Sequence, residues 1–305
     1  MIIVGVDAGG TKTRALAFDD ECNFLGKGDA GPGNFHNVGI DIARKNILEA
    51  VLTATQGKRA NFAVIGAAGL DSKYDLEILN SSLNDIADKV IIEHDSFIVL
   101  YSQSEKPRGI VVISGTGSVV VGYYDDKRIR AGGYGWLLSD EGSAYWIGRE
   151  ALRILVKMLD GRIPRTKLAD SLLQKMKLES LDDVIKWTYY EGHKVEEIAS
   201  LASVVCNEAE KNKDEYATKI IEQATKELAE DVIYISDLLK LKEVYISGGM
   251  FNCKIYYQKF CSNLQYYKII RVTKEPVLGA IFYALDLLGL GSCKERIKND
   301  YSFFG

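Results

Sequence analysis

The sequence contains few of the side chains that bind transition metals. It has three histidines, none at the spacing of paired metal ligands, and its five cysteines form no C-x-x-C motif. Because a zinc site needs closely spaced nitrogen and sulfur ligands, we expect none. The cysteines are Cys22, Cys206, Cys253, Cys261 and Cys293. Their odd number and scattered positions predict reduced, mostly buried thiols in a cytoplasmic protein.

Long apolar runs and dense basic clusters are also missing. The first residues, Met1 to Asp7, lack the basic segment and the small-residue cleavage site of a signal peptide. The most apolar late stretch, Val277 to Leu290, is interrupted by Asp286 and is shorter than the roughly 20 residues that a bilayer span requires. The formal net charge is −4, and no lysine and arginine cluster offers the basic face that nucleic-acid binding needs. We therefore expect a small-molecule ligand, and neither nucleic acid nor membrane as a partner.

The composition is sufficient for two packed domains. The chain has 305 residues, about twice the usual single-domain length, and 47% of them are hydrophobic. Three strands followed by alternating helices and strands open the sequence, and the same order restarts near Gly109, interrupted by a helical segment at 142–241. This repeat predicts an α/β protein of two related domains. We expect one domain to comprise residues 1–106 plus a C-terminal helix at about 288–305, and the other to comprise residues 107–287.

A glycine-rich turn follows the first strand of each copy. The first turn is DAGGTKT (Asp7 to Thr13) and the second is SGTGS (Ser114 to Ser118). Glycine lets successive backbone N–H groups converge on an anion, and threonine and serine add hydroxyl donors. Such turns also occur for conformational reasons alone. Their presence at corresponding places in two copies nevertheless favours phosphate binding.

These motifs resemble those of the actin-like ATPase superfamily, which includes sugar kinases and Hsp70 chaperones. DAGGTKT and GTGS resemble its two phosphate motifs, and SGGMF (Ser247 to Phe251) resembles its adenosine motif. More narrowly, GPGNFHNVG, AAGLDSK, EHD and GWLLSDEGSAYWIGREAL resemble segments of BadF/BadG-type ATPases, and among these of archaeal broad-specificity hexokinases and N-acetylglucosamine kinases. The resemblance implies two duplicated actin-like (ribonuclease H-like) domains. Each would be a mixed five-stranded sheet flanked by helices, with a nucleotide and sugar cleft between the domains.

The resemblance also implies an activity, which is ATP-dependent phosphorylation of the primary (6-) hydroxyl of a hexose. Glucose, glucosamine, mannose and N-acetylglucosamine all remain open as substrates. Asp95 follows a strand, at the place where open α/β sheets position ligand-contacting residues. In the resembling kinases the aspartate at this place is the general base that accepts the proton of the sugar hydroxyl. Asp95 could instead only cap the following helix, and His94 is predicted to be structural.

The resemblance assigns the nucleotide and its metal to the glycine turns. Asp7 is expected to hold Mg²⁺ through water, because this ion keeps much of its hydration shell. The residues expected to bind ATP are Gly9, Gly10, Thr11, Lys12, Gly115, Thr116, Gly117, Gly248 and Gly249. Lys12 could instead be a solvated turn residue, and the Gly248–Gly249 pair could be a simple turn between a strand and a helix.

A hexose presents a ring of hydroxyls, so its site needs carboxylates and amides in fixed positions. The residues expected to contact the sugar are Asn34, Asp71, Asp95, Gly135, Ser139 and Asp140. The segment 140–143 could also be only the start of a helix, because acidic residues favour that end. Trp136 and Trp146 could stack on a sugar, although core packing is expected for Trp146.

Other members of the superfamily fit less well. The activator ATPases of 2-hydroxyacyl-CoA dehydratases need cysteines near the second phosphate motif, and residues 110–122 contain none. ROK-type sugar kinases carry a cysteine-rich zinc motif that is absent here. An actin- or Hsp70-like nucleotide switch would need no sugar base, and no segment resembles a peptide-binding domain. We therefore expect a sugar kinase with ATP/ADP and a hexose as ligands, forming a homodimer like related kinases.

Overall fold

The structure, a computed structural model, describes residues 1–104, 107–125, 127–191 and 195–299, which contain two five-stranded sheets. The strands of the first sheet are β1 (Ile2–Ala8), β2 (Thr13–Asp19), β3 (Phe24–Ala30), β4 (Ala60–Ala67) and β5 (Ala87–His94). The strands of the second sheet are β6 (Arg108–Ser114), β7 (Ser118–Tyr124), β8 (Lys127–Ala131), β9 (Glu243–Ser247) and β10 (Lys268–Arg271).

Helices connect and cover these sheets. Those that precede β6 are α1 (Phe35–Val38), α2 (Ile40–Ala54), α3 (Lys73–Leu83) and α4 (Asp95–Gln103). Those between β8 and β9 are α5 (Ala144–Leu159), α6 (Lys167–Met176), α7 (Leu181–Tyr190), α8 (Val195–Ser200), α9 (Ala202–Asn207) and α10 (Glu215–Leu239). Those that follow β9 are α11 (Lys254–Asn263), α12 (Pro276–Leu287) and α13 (Gly291–Asn299). The predicted helical segment at 142–241 is thus confirmed.

The two sheets have the same topology. The strand order is β3-β2-β1-β4-β5 in the first sheet and, read from the corresponding edge, β8-β7-β6-β9-β10 in the second. In the first sheet β1 pairs antiparallel with β2 and parallel with β4, and β4 pairs parallel with β5. The duplication and the mixed five-stranded sheets that the sequence predicts are confirmed.

The chain divides into two compact units, and α12 belongs to the first. One unit comprises Met1–Arg108 and the segment from Val272 onward, and the other comprises Gly109–Arg271. The sequence-based boundary at 287 instead placed α12 with the second domain. The helix packs against β1 and α4 because glycine allows a close approach. A Cβ on Gly5 of β1 would lie 2.8 Å from the backbone nitrogen of Ile281, and a Cβ on Gly279 would lie 1.8 Å from the carbonyl oxygen of Ile98.

Element boundaries differ from the sequence-based ones mainly at α3. The apolar spacing predicts a helix from Tyr74 to Ala87, but α3 ends at Leu83. Ala87 instead pairs with Ala60 at the start of β5, so sheet pairing ends the helix early. The last six residues of the predicted 288–305 helix, and the predicted domain boundary at residue 106, lie outside the described residues.

Across the described part of the chain, every helix is too short or too polar to cross a bilayer.

Four of the five cysteines are paired, so the prediction of reduced thiols is wrong for them in this structure. Cys22 and Cys293 form a disulfide with Cα atoms 5.2 Å apart, and Cys206 and Cys253 form a second with Cα atoms 6.0 Å apart. The partners are 271 and 47 residues apart in sequence, which is why their spacing gives no signal of pairing. Only Cys293 is fully buried, whereas Cys261 is a partly exposed free thiol.

Alkylation of the purified, denatured protein would test this pairing. Without a reductant we expect one modified cysteine, Cys261, because the other four sulfurs are held in disulfides. After reduction all five should react, as measured by intact mass. The Cys261→Ser variant is the control, with none modified before reduction and four after it. Five modified cysteines without reductant would contradict the pairing.

Candidate functional site

The first glycine turn joins β1 to β2 and leaves one face open. The Gly9 backbone N–H donates to the carbonyl oxygen of Lys12 at 3.0 Å, which closes the turn. Gly10, Thr11 and Lys12 are all exposed. The predicted ATP-binding residues of the first unit therefore form one compact turn that an anion can reach.

A second loop packs behind this turn. The backbone N–H groups of Gly33 and Asn34 both donate to the carbonyl oxygen of Gly9, at 2.9 and 3.2 Å. A Cβ on Gly33 would lie 2.6 Å from Thr13 Oγ1 and 2.7 Å from the Cβ of Ala8, so only glycine fits there. The GPGN segment thus ties the predicted sugar contact Asn34 to the predicted phosphate turn.

Asp7 is the next-to-last residue of β1 and lies beside several charged groups. Burial and, to a smaller extent, the negative charge of Asp95 raise the pKa of Asp7 to about 7. The ammonium of Lys12 acts in the opposite direction, as does the guanidinium of Arg14 to a smaller extent. A carboxyl group in this position is stabilised as an anion by an added cation. The structure therefore brings the predicted metal-binding residue and the predicted base into one electrostatic environment.

An ion-pair network that the sequence did not predict borders Asp7. Arg14 Nε donates to Asp29 Oδ1 at 2.6 Å, and its Nη1 pairs with Glu275. The hydrogen bond to Asp29 is the main cause of the raised pKa of Arg14. Asp29 is the cross-strand partner of Arg14 in the β2–β3 pairing, but Glu275 comes from just before α12. No local pattern in the sequence links residues so far apart.

Asp95 is the first residue of α4, and its neighbour His94 is the cap. The His94 Nδ1 accepts a hydrogen bond from the Ser96 backbone N–H at 3.1 Å, which is the N-cap contact of this helix. The side chain of Asp95 is 22% exposed. The alternative in which Asp95 serves only as the cap is therefore wrong, because His94 fills that position.

Two loops of the first unit, one with Asn34 and one with Gly69 and Asp71, are in contact near Asp95. The Asn34 Oδ1 accepts the backbone N–H of His36 at 3.0 Å and thereby caps α1. A Cβ on Gly69 would lie 2.7 Å from that oxygen, so the two loops are in contact. His36 Nε2 also lies 3.2 Å from Asp75 Oδ1, and Asp75 Oδ2 accepts the backbone N–H of Asp71 at 3.0 Å. His36 was not predicted as a site residue, although it lies two residues after Asn34.

The second glycine turn packs on the start of α5. The Gly115 N–H donates to the carbonyl oxygen of Gly117 at 2.9 Å, and the Ala144 N–H donates to Gly115 O at 2.8 Å. The Tyr145 N–H donates to Thr116 O at 3.1 Å. Backbone N–H groups at the start of the helix thus fix the carbonyls of the turn, while the Thr116 side chain remains exposed.

Ser139 and Asp140 lie beside this second turn. Asp140 is buried and has a left-handed backbone (φ 67°), and its Oδ2 would lie 2.8 Å from a Cβ on Gly117. Ser118 Oγ donates to the carbonyl oxygen of Glu141 at 2.7 Å, which holds the two segments together. α5 begins only at Ala144 and is capped by the side chain of Ser143. Asp140 is therefore a loop residue, and within the segment 140–143 only Ser143 belongs to the helix start.

The segment before Ser139 contains an exposed aromatic residue. Gly135 has a positive φ (90°) with open space where a Cβ would be, and its carbonyl oxygen accepts the Ser139 N–H at 2.9 Å. The Trp136 ring is 46% exposed and its centroid is 5.6 Å from that of Tyr145. Trp146 is buried in the core of the second unit, as predicted.

A group of acidic side chains that lies near Ser139 was not predicted from the sequence. Burial and the charge of Glu141 raise the pKa of Asp231 to about 6, with Glu227 and Glu230 contributing less. A Cβ on Gly132 would lie 3.0 Å from Asp231 Oδ2 and 3.5 Å from Ser139 Oγ. Asp231 lies in the middle of α10, where an acidic residue in the sequence looks like part of a solvated helix face.

The predicted adenosine motif lies at the edge of a cavity. Gly248 has a positive φ (107°), and a Cβ there would lie 2.2 Å from the carbonyl oxygen of Ser114, so this position requires glycine. Gly249 has open space around the position of a Cβ. A cavity of about 500 Å³ is bounded by Gly249, Met250, Asn252 and Cys253 on one side and by α5, α6, α8 and α9 on the other. Its volume is in the range of small-molecule sites.

The surroundings of Asp7 suit a metal ion that keeps most of its water ligands. Among the residues that the structure describes, no group of three or more histidine, cysteine, aspartate and glutamate side chains could form a protein-only metal site. Mg²⁺ commonly uses one or two carboxylates together with water and substrate phosphates. One carboxylate beside the exposed first glycine turn fits that mode of binding.

Comparisons with known proteins agree with the fold and the motifs. The chain is 33% identical over 301 residues to an N-acetylmuramic acid/N-acetylglucosamine kinase from Clostridium acetobutylicum, covering 92% of this chain and 97% of that protein. It is 28% identical over 313 residues to an N-acetyl-D-glucosamine kinase from Dictyostelium discoideum, covering 93% and 98%. The crystal structure of a Chromobacterium violaceum protein described as an N-acetylglucosamine kinase superposes with a TM-score of 0.79 at 22% identity, covering 93% and 98%.

The predicted actin-like architecture, with two mixed five-stranded sheets flanked by helices, is confirmed. The sequence pattern of the BadF/BadG/BcrA/BcrD ATPase family matches residues 4–284, which is nearly the whole chain. This chain therefore belongs to the BadF/BadG/BcrA/BcrD ATPase family.

Proposed function

We propose that this chain is an ATP-dependent sugar kinase that phosphorylates the primary (6-) hydroxyl of N-acetylglucosamine and related hexoses. The observation that carries the proposal is the position of three features at one edge of the first sheet. Asp95 follows the end of β5, Asp7 lies near the end of β1, and the exposed glycine turn begins at the next residues. A base, a metal-binding carboxylate and a phosphate-binding turn are the parts that phosphoryl transfer needs.

In the proposed reaction Asp95 accepts the proton of the sugar hydroxyl as its oxygen attacks the γ-phosphorus of ATP. The partial exposure of the Asp95 side chain supports this role, because the carboxylate must be reachable by the sugar. The oxygen–phosphorus bond to the β-phosphate breaks as the new bond forms, and ADP leaves. Backbone N–H groups and hydroxyls of the glycine turns would bind the phosphates.

Asp7 would hold Mg²⁺ through water. When bound, this ion would neutralise negative charge on the phosphates of ATP. The raised pKa of Asp7 supports the assignment, since it marks a buried carboxyl group placed beside another carboxylate without a full counter-charge. Lys12 is close enough to influence Asp7 and exposed enough to reach a phosphate, which favours the phosphate role over that of a solvated turn residue.

The adenosine part of ATP would enter the cavity next to Gly249. Gly248 keeps the chain against Ser114 at the second phosphate turn, which connects this cavity to the proposed phosphate contacts Gly115, Thr116 and Gly117. The cavity is lined by small side chains such as Ala199 and Ala202, which leave room for a flat base.

The sugar contacts proposed within the first unit are the Asn34, Asp71 and Asp95 side chains. For Gly135, Ser139 and Asp140, which belong to the second unit, a sugar contact stays a prediction from the resemblance. Relatives that act on N-acetylglucosamine and N-acetylmuramic acid favour sugars with a substituted nitrogen at C2 as the first substrates to test. Glucose, mannose and glucosamine remain in the proposal as further acceptors, as the resemblance to archaeal broad-specificity hexokinases predicts. A cytoplasmic location and a homodimer also remain predictions. The two disulfides argue against the cytoplasmic location.

A panel of coupled kinase assays tests the activity. We expect ATP consumption to rise at least tenfold when N-acetylglucosamine is added, because the acceptor hydroxyl completes the reaction. Glucose, mannose, glucosamine and N-acetylmuramic acid should be measured in parallel, with a no-sugar control. ATP binding without sugar-stimulated turnover by any of these five would instead favour an actin-like nucleotide switch.

The Asp95→Ala variant should lose about 100-fold or more in kcat, the usual scale for removal of a general base. ATP affinity and Tm should change little, since His94 and not Asp95 caps α4. Asp88→Asn is a matched control, because Asp88 is an exposed aspartate near the start of β5, the strand that Asp95 follows. Turnover at the wild-type rate in Asp95→Ala would remove Asp95 from the mechanism.

Asp140→Asn tests the sugar contact while keeping the backbone conformation, because asparagine tolerates the left-handed region as well as aspartate does. We expect the sugar KM to rise about tenfold with the ATP KM unchanged, since one charged acceptor is lost. Asp125→Asn is the control, as Asp125 also has a positive φ but lies in an exposed turn. A sugar KM that stays the same for every accepted hexose would argue against this contact.

Gly249→Ala tests the adenosine motif. The structure has space for the added methyl group, so Tm should be unchanged. If the nucleotide lies against this backbone, the methyl group should raise the ATP KM by about five- to tenfold, equivalent to roughly 1 kcal/mol. Gly291→Ala also places a methyl group in open space, at the start of α13, and serves as the control. Equal ATP KM values for the two variants would contradict the proposed nucleotide position.

A further inference from the structure

We propose that His94 is a positioning residue that couples Asp71 to Asp95 and decides which oxygen of Asp95 faces the sugar. The inference rests on the proposed function, in which Asp95 is the base and Asp71 a sugar contact. It assigns to His94 a role in the reaction that exceeds the structural one predicted from the sequence. The evidence is the arrangement of the two ring nitrogens.

The first ring nitrogen is engaged by the start of α4. The His94 side chain is almost fully buried, and its Nδ1 accepts the Ser96 backbone N–H at 3.1 Å. Ser96 Oγ lies 2.7 Å from the same nitrogen. A neutral imidazole has one accepting and one donating nitrogen, so the network assigns the proton to Nε2.

The second ring nitrogen faces the loop that carries Asp71. His94 Nε2 lies 3.7 Å from Asp71 Oδ1, a separation too short for an intervening water. A small movement of either side chain would complete an N–H···O hydrogen bond. The Asp71 backbone is itself fixed, because its N–H donates to Asp75 Oδ2 in the capping box of α3. The imidazole is thus held between a helix start and an anchored loop.

The carboxylate of Asp95 contacts the His94 ring at Nδ1. Its Oδ1 lies 2.8 Å from His94 Nδ1 but is buried and completes no hydrogen bond with any described residue. The Nδ1 lone pair is already used by Ser96, so the nitrogen cannot donate to the carboxylate in the neutral ring. The contact between Nδ1 and Oδ1 is therefore steric, and the edge of the ring restricts rotation of the Asp95 carboxylate on its buried side. Oδ2 is the oxygen left to accept the proton of the sugar hydroxyl.

This arrangement predicts a loss of rate without a loss of binding when the ring is removed. A carboxylate that is free to rotate presents the correct oxygen only part of the time, and small errors in the placement of a catalytic group have large effects on rate. Asp71 contributes through the same ring, because it orients Nε2. Changes at Asp71 and at His94 should therefore not be additive in kcat.

The His94→Asn variant separates positioning from capping. Asparagine is among the best N-cap residues, so its side-chain oxygen can replace Nδ1 as the acceptor for Ser96 while the shorter side chain no longer reaches Asp71. We expect a Tm within a few degrees of the wild type, a kcat about tenfold lower, and sugar and ATP KM values within about twofold. A purely structural cap would instead give wild-type kcat, and that result would overturn the proposal.

Two further variants complete the test. His94→Gln can still reach toward Asp71 with its amide but caps the helix poorly, so it should keep more of kcat than His94→Asn while lowering Tm. Asp71→Asn leaves the cap intact and should lower kcat as well as raise the sugar KM, and the Asp71→Asn/His94→Asn double variant should have the kcat of His94→Asn alone. If His94→Asn does not fold, an Asp71→Asn effect confined to KM overturns the coupling.

The failure of this inference can be distinguished from the failure of the proposed function. Turnover that survives in Asp95→Ala would show that Asp95 is not the base, whatever the His94 variants do. Loss of turnover in Asp95→Ala together with wild-type kcat in His94→Asn would leave the base in place and reject only the positioning role.

Discussion

The register of three parallel strands is the constraint on which the candidate site of the first unit depends. In the β1–β4 pairing Ala8 is opposite Ala67, and in the β4–β5 pairing Ala67 is opposite His94. This row of paired residues brings the end of β1 and the end of β5 to the same edge of the sheet, two strands apart. Parallel strands are about 4.8 Å apart, so groups flanking this row are within about 10 Å of one another. A shift of one residue would turn Asp7 to the opposite face.

Close backbone packing keeps this edge in place. A Cβ on Gly66 of β4 would lie 2.2 Å from the Cδ1 of Ile98. The helix α4 therefore lies directly against β4, the middle one of the three parallel strands. α12 approaches β1 at Gly5 and α4 at Gly279 in the same way. The helix that begins with the proposed base is therefore fixed by contacts along its whole length, and α4 has little freedom to move Asp95 relative to Asp7.

Much of the architecture could be predicted from the sequence, because strands and glycine turns have local signals. The repeated order of elements and the two glycine turns both follow from short-range patterns, and they were predicted close to their observed bounds. Groups assembled from distant segments had no such signal. Glu275 reaches Arg14 from 261 residues away, and Asp231 reaches the Ser139 loop from the middle of a long helix. The role of His94 as the N-cap of α4 was missed for another reason, because aspartate is a far commoner N-cap residue than histidine.

The discontinuous composition of the first unit has a consequence for synthesis on the ribosome. Its central strand β1 is covered by α12, which lies near the other end of the chain, and Cys293 of α13 is joined to Cys22 in the β2–β3 turn. The N-terminal sheet therefore leaves the ribosome with β1 uncovered on the side that α12 packs against, until residues 276–287 have been made. The second unit is continuous from Gly109 to Arg271, so all of it has been synthesised before α12 begins at Pro276. Although it is encoded later, the second unit can complete its fold first, because domains generally fold as units.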